Sequence, residues 1–296
     1  MAFKTKHKDD LFVLQSEDKK QVAVISPKQG GRTVQLLLND TMVIDEPTQT
    51  SYETDFAGAI LFPFANRIAN GTYRFQNKSY FLTCNENGRS NAIHGLVYDK
   101  NFQVSLTEAN ENFAKVELVY DEKDPVEGFP FTYQLKLIYV LSNDGLDLHV
   151  EGTNTGENKF LFSLGWHPYF CVDNFEKAYV DLESKYQVIM NEHMITVGSK
   201  NHKQPREIYL KDNFLDDCFS ILDRKVDLVM PSHKVSVSGE YISKFIQLYT
   251  PKNEKLIAIE PMTAISNSFN NKKSILVLHP NETFKTKWNV QINNKH

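Results

Sequence analysis

With 296 residues, 41% of them hydrophobic and 24% charged, the chain has a globular composition. It is long enough for one large β domain or two medium ones. Lys and Arg number 33 against 37 Asp and Glu, and the formal charge of −4 comes with no concentrated basic block, which argues against a nucleic-acid binder. No apolar run approaches the roughly 20 residues that cross a bilayer, and the basic start Met1–Asp10 lacks the apolar stretch of a secretory signal, so the expectation is a cytoplasmic protein that engages neither membrane nor nucleic acid.

In chain order, the first ten residues are charged and expected to be loose. Residues 61–71 (Leu-Phe-Pro-Phe-Ala-Asn-Arg-Ile-Ala-Asn-Gly) form an apolar, proline-interrupted loop carrying Arg67. That arginine reads either as a structural ion-pair partner or as a donor whose planar fork suits paired hydroxyls. Tyr73 and Phe75, then Tyr80 and Leu82, make a hairpin across residues 76–79. A Gly/Asn-rich loop from Asn85 leads into Asn91-Ala92-Ile93-His94-Gly95. Glycine there would let a substrate approach the backbone next to His94, although a satisfied structural histidine reads equally well.

Phe102, Val104, Leu106 and Val116, Leu118, Tyr120 give a further strand pair. The clearest alternation runs through Phe131, Tyr133, Leu135, Leu137, Tyr139 and Leu141, turns at Asn143-Asp144-Gly145, and resumes at Leu146, Leu148 and Val150. His167 falls in an apolar run, Phe162–Phe170, where its charged form is disfavoured. The aromatics around it could be core or a stacking surface for a sugar. Asp216-Asp217 precede Cys218 and Phe219, and Glu260 ends the apolar strand Leu256–Ile259. A carboxylate so placed must be paired, hydrogen-bonded or at work. His279 reads as structural, and Phe284, Thr286, Trp288, Val290 and Ile292 form a closing strand.

The period is two throughout, and no window of a dozen residues keeps a helical stripe. Strand follows strand without intervening helices, which excludes the parallel α/β classes. The expected fold is all-β, a large antiparallel β-sandwich formed by residues 1–296 as one domain. Cys84, Cys171 and Cys218 are odd in number and widely spaced, so neither a disulfide framework nor a zinc site is expected.

Taken together, the segments Phe62–Ile68 with Gly71, Tyr80 and Asn85, Asn91–Gly95, Gly165–Phe170, Asp216–Phe219 and Glu260-Pro261 resemble the aldose 1-epimerase (mutarotase) family, in that family's order. The resemblance spans the chain from about Gly30-Gly31 to the last strand and implies the galactose mutarotase-like supersandwich. It implies Glu260 as general base, His167 as general acid and His94 as a second histidine at the substrate. Arg67 and Asp216 match positions that bind sugar hydroxyls, with Asn66 beside Arg67 a further contact. Many relatives carry a histidine after that aspartate; here Asp217 follows, which leaves Asp216 and Asp217 as competing candidates, with Asp216 favoured by its offset from Phe219.

The implied partner is a small-molecule sugar. Mutarotation calls for no redox cofactor and no metal, and none is signalled. At its reference pKa of about 4.3, Glu260 would be ionised at pH 7, and His167 would need a neighbouring negative charge to keep its proton. Three other readings remain. A hexose-6-phosphate 1-epimerase would need cations such as Arg32, Arg67 and Arg89 to converge. A non-catalytic carbohydrate-binding protein would have no need of the Glu260/His167 pair. A metal enzyme would draw on His94, His167, Glu260 and His279.

Overall fold

A computed structural model describes residues 2–202, 206–211, 213–240 and 244–294. As the period-two pattern requires, these residues are built almost entirely from antiparallel strands, and their two α-helices, Tyr52–Asp55 and Ser268–Asn271, are single turns. Two large sheets dominate. One has thirteen strands. Its path runs from the strands Phe3–Lys8 and Leu11–Ser16 through Thr41–Ile44, Tyr169–Cys171, Leu256–Met262, Phe245–Tyr249 and Asp216–Ser220 to Thr196–Asn201. The other has nine and includes the long strands Phe113–Glu122, Tyr133–Ser142, Gly145–Asn154 and Thr283–Asn294.

The main hydrophobic cluster takes alternate residues from both sheets. Leu14, Ala23, Ile25 and Leu36 come from the thirteen-stranded sheet, and Leu118, Leu137, Tyr139, Leu148 and Val290 from the nine-stranded one. Two contacts tie the layers together. The Tyr139 hydroxyl donates to the Gly31 carbonyl at 2.7 Å, and Trp166 stacks on Trp288 with ring centroids 6.2 Å apart. A buried tyrosine keeps its hydroxyl satisfied in this way.

The two hairpins expected at Tyr73–Tyr80 and Leu141–Leu146 both form, the Tyr73–Tyr80 one with a tighter turn than the expected residues 76–79. Leu141 faces Leu146 across Asn143-Asp144. Tyr73 faces Tyr80 across a two-residue turn, Gln76-Asn77, in which both residues have positive φ, the backbone that matches the right-handed twist of a hairpin.

One expectation fails. Residues 3–8 are not loose: Phe3–Lys8 pairs along its whole length with Leu11–Ser16, and Phe3 is buried in the core. The charges of that segment mark a solvent-facing strand. The strand pair expected around Val104 and Leu106 does form. Those two residues lie exposed, because Gln103–Ala109 is the outermost strand of the nine-stranded sheet, and Phe102 just before it makes the core contact.

Candidate functional site

The register of the thirteen-stranded sheet assembles one wall of the site. Along Leu256–Met262 the isoleucines Ile257 and Ile259 enter the main core, so Ala258 and Glu260 face the other way. Gln247 stands opposite Glu260, and Tyr249 opposite Ala258. On the next strand Asp216 pairs with Tyr249, and on the other flank Tyr169 pairs with Ala258. Tyr169, Glu260, Gln247, Tyr249 and Asp216 therefore share one face, over a cleft of about 570 Å³ that all five line. Diagonal neighbours meet: the Gln247 amide donates to Asp216 Oδ1 at 2.8 Å.

Alternation also aims His167. Trp166 points into the core, and the next side chain points out into the cleft. The opposite wall comes from the short pairing of Arg67–Ala69 with Asn91–Ile93, in which Ile93 faces Arg67. At its end the His94 amide donates to the Asn66 carbonyl at 3.0 Å, and Asn66 and His94 both have left-handed φ, 61° and 62°. Gly95 has a different reason than the sequence suggests. At φ 82°, a Cβ would lie 2.2 Å from the Phe62 carbonyl oxygen, so glycine is required for packing against residue 62 rather than for substrate approach.

The cleft thus gathers His94, His167, Glu260, Arg67, Asp216 and Asn66. Of the competing aspartates, Asp217 points to the other face and accepts a hydrogen bond from Gln187, so only Asp216 lines the cleft. His167 Nε2 lies 3.3 Å from Glu260 Oε1. The rings of His94 and His167 meet edge to face at 5.0 Å, with Phe56 against His94 and Tyr169 stacked on His167. Trp166 and Phe170, flanking the same histidine, are core.

Several groups were not singled out from sequence. Glu86 accepts from Arg67 Nε at 2.9 Å, and Arg67 Nη2 sits 2.9 Å from the same oxygen. Arg89 donates to it at 3.0 Å, and Asn91 donates to the other oxygen at 2.7 Å. Gln247 and Tyr249 sit in a strand without any motif; only the register reveals them.

Burial sets the electrostatics. Desolvation pushes Glu260 well above the usual carboxylate range; the charge of Asp216 adds to this and Arg67 opposes it. Desolvation pulls His167 down to about 3, with Arg67 contributing in the same direction. Burial lowers His94 likewise, helped by His167 and Arg67. Glu260 therefore does not keep its reference pKa, because the carboxylate is buried away from water. Asp216 is also raised, by burial against the pull of Arg67. Glu86 is raised by burial but lowered further by its hydrogen bonds and the Arg67 charge, ending below its usual value.

Glu260 Oε2, His94 Nδ1 and Gln247 Oε1 are buried without a hydrogen-bond partner among the described residues. Buried polar atoms are ordinarily satisfied, and these three belong to residues lining the cleft. Of the cations of the phosphate reading, Arg67 and Arg89 line the cleft and meet on Glu86, and Arg32 does not join them. Arg32 is buried outside the cleft, its Nη2 2.8 Å from Glu46 and its guanidinium 4.3 Å over the Tyr52 ring. Nor does His279 line the cleft; its amide donates to Glu282. Among the described residues no three His, Cys, Asp or Glu side chains group as metal ligands.

The sequence and the arrangement of strands match known proteins. The aldose 1-epimerase family model covers residues 11–291. The chain belongs to the aldose 1-epimerase family. Among curated relatives, the uncharacterized protein YihR of Escherichia coli (strain K12) is 26% identical over 249 residues, covering 79% of this chain and 78% of YihR. Among solved structures, a galactose mutarotase-like protein from Clostridium acetobutylicum superposes with a TM-score of 0.89 at 21% identity, covering 99% of this chain and 98% of that one. Galactose 1-epimerase from Lactobacillus acidophilus NCFM gives 0.78 at 17% identity, covering 99% and 98%. Those structural likenesses establish the shared epimerase fold, a galactose mutarotase-like sandwich as the sequence implied.

Proposed function

We propose that the chain is an aldose 1-epimerase that interconverts the α and β anomers of a free hexose such as glucose or galactose. The observation that carries this is the 3.3 Å approach of His167 Nε2 to Glu260 Oε1 at the buried floor of a cleft lined with hydrogen-bonding groups.

Anomer exchange opens a cyclic hemiacetal. A proton must leave the C1 hydroxyl while another reaches the ring oxygen, and each positioned transfer contributes roughly 10²–10⁴-fold. Glu260 takes the first proton and His167 gives the second, so neither a free alkoxide nor an oxocarbenium forms. C1–C2 rotation and the reverse transfers then close the ring on the other face.

The pair needs only one shared proton for this cycle. With Glu260 as carboxylate and His167 as imidazolium, ring opening leaves a neutral acid and a neutral imidazole. Burial shifts the pair toward that same uncharged arrangement, since Glu260 is raised and His167 lowered. The site is therefore biased toward the proton inventory of the open-chain complex. The working ion pair is reached by moving one proton across the His167–Glu260 contact, with Arg67 stabilising the carboxylate and no proton drawn from solvent. Arg67, Asp216, Asn66 and His94 hold the sugar hydroxyls.

Charge supports a neutral sugar. The cleft is lined by Glu53, Asp55, Glu86, Asp216, Glu254 and Glu260 against Arg67, Arg89 and Lys252, and the two arginines already share Glu86. Polarimetry on freshly dissolved α-glucose, α-galactose and glucose 6-phosphate tests the proposal. Faster exchange of the free hexoses is expected. Faster exchange of the phosphate alone would select the hexose-6-phosphate reading, and binding without acceleration would select a carbohydrate-binding protein.

A further inference from the structure

A second cavity, of about 150 Å³, lies beside the sugar cleft. The two share Asn85, and Gly95, which follows His94 in the chain, lines the second one. Its walls are rich in rings, with Phe64, Tyr98, Phe129 and Tyr133 among them. None of the groups proposed for proton transfer or sugar binding lines it.

Two side chains in this wall have polar capacity that the protein does not use. The hydroxyls of the buried tyrosines Tyr73 and Tyr139 donate to the carbonyls of Gly128 and Gly31, at 3.0 and 2.7 Å, as burial ordinarily requires. Tyr133 is just as buried, 1% exposed, yet its hydroxyl has no hydrogen-bond partner among the described residues. Directly opposite Tyr133 on the neighbouring strand stands Glu122, so the two side chains share a face. Glu122 follows Ala114, Val116, Leu118 and Tyr120 on the core-facing stripe of its strand, where a carboxylate needs partners. It accepts from the Tyr120 hydroxyl at 2.9 Å and from the Asp124 amide at 3.1 Å, one bond to each oxygen, and each oxygen can take another. Lys100, the cation of this wall, sits 3.7 Å from Asp99 instead. Burial pushes the Tyr133 hydroxyl well above its usual range, and Glu122, Tyr120 and Asp99 add to this, so the field of the carboxylates reaches that oxygen.

We infer that this cavity is a binding site for a small organic ammonium ion, whose N–H groups donate to Glu122 and to the Tyr133 oxygen while its alkyl chain lies among Phe64, Tyr98 and Phe129. With Lys100 held by Asp99, the charge left to a ligand is that of Glu122, which selects a cation over an anion. Aromatic walls attract the ammonium group as well as the chain that carries it. A space of about 150 Å³ corresponds to roughly five water-sized volumes of about 30 Å³, the size of an amine with about five non-hydrogen atoms. The site stands independently of the epimerase reading.

The test is a ligand-observed NMR titration of the full chain at pH 7 with n-butylammonium, n-butanol and butyrate. n-Butylammonium is expected to bind with a Kd of about 1 mM or below, and the alcohol and the carboxylate at least about tenfold more weakly. Tyr133→Phe should weaken the amine at least about fivefold and Glu122→Gln at least about tenfold, with circular dichroism unchanged. Without amine, Tyr133→Phe should melt no lower than wild type, because the hydroxyl it removes bonds nothing in the protein. A lower melting temperature would mean that the hydroxyl has a partner within the fold, and would overturn the inference. So would amine binding weaker than about 1 mM, butanol or butyrate bound as tightly as the amine, or a folded Tyr133→Phe that binds the amine as wild type does.

Discussion

Glu86 receives two nitrogens of Arg67 on a single carboxylate oxygen, Nε and Nη2 each at 2.9 Å, and both side chains are about nine-tenths buried. This contact fixes the guanidinium where it faces the cleft. Glu86→Gln leaves a buried cation without its counter-ion, which should cost about 2–4 kcal/mol of stability and raise KM for the sugar more than it lowers kcat. Urea unfolding and steady-state kinetics read the two effects. Because Glu86 titrates below its usual value in the fold, its contribution is present above the unfolded pKa and is lost as pH falls through the folded one. The acid sensitivity of the wild type should therefore be blunted in the variant.

Glu260 has the opposite sign. Burial raises its pKa, so its contribution to stability is fully present below the unfolded value of about 4.5 and is lost as pH rises through the folded value. Glu260→Gln should consequently be more stable than wild type at pH 8, by about 1–3 kcal/mol, with the difference vanishing near pH 4. Thermal unfolding across that range measures it. Parallel pH curves for the two proteins would contradict the assigned shift.

Asp216 and Asp217 are consecutive strand residues and so face opposite sides of the sheet. Asp216→Asn removes a charged hydrogen-bond acceptor from the cleft and should lower kcat/KM by about tenfold to a hundredfold. Asp217→Asn, whose partner is Gln187 outside the cleft, should stay within about twofold of wild type by the same measure.

Gly95→Ala places a methyl group against the Phe62 carbonyl at a φ of 82°. A loss of about 2–4 kcal/mol is expected, and because residue 94 is covalently next to it, His94 should shift and KM should rise. A urea midpoint unchanged from wild type would show that the backbone there can yield.

Much of this was legible in the residues. Strict alternation at Tyr133–Leu141 and Leu146–Val150 gave that hairpin with its register, because one face must be dry. The exposure of Val104 and Leu106 was not legible, because alternation cannot tell a covered face from a strand at a sheet's edge. The candidate site was legible where side chains stand in recognisable motifs, as with Arg67, His94, His167 and Glu260. Glu86 and Gln247 were invisible because nothing local distinguishes them; an ion pair between loops and a register between strands decide their place. The upward shift of Glu260 was not legible because a reference pKa assumes water, and burial removes it.

The most direct measurement is the rate of α-to-β exchange of a free hexose catalysed by wild type, Glu260→Gln and His167→Asn, with circular dichroism confirming that both variants fold. If the two side chains transfer the protons, each substitution lowers kcat by about 10²–10⁴-fold and the sugar still binds. Near-wild-type turnover in either folded variant would mean that the 3.3 Å contact between them is not where the chemistry occurs.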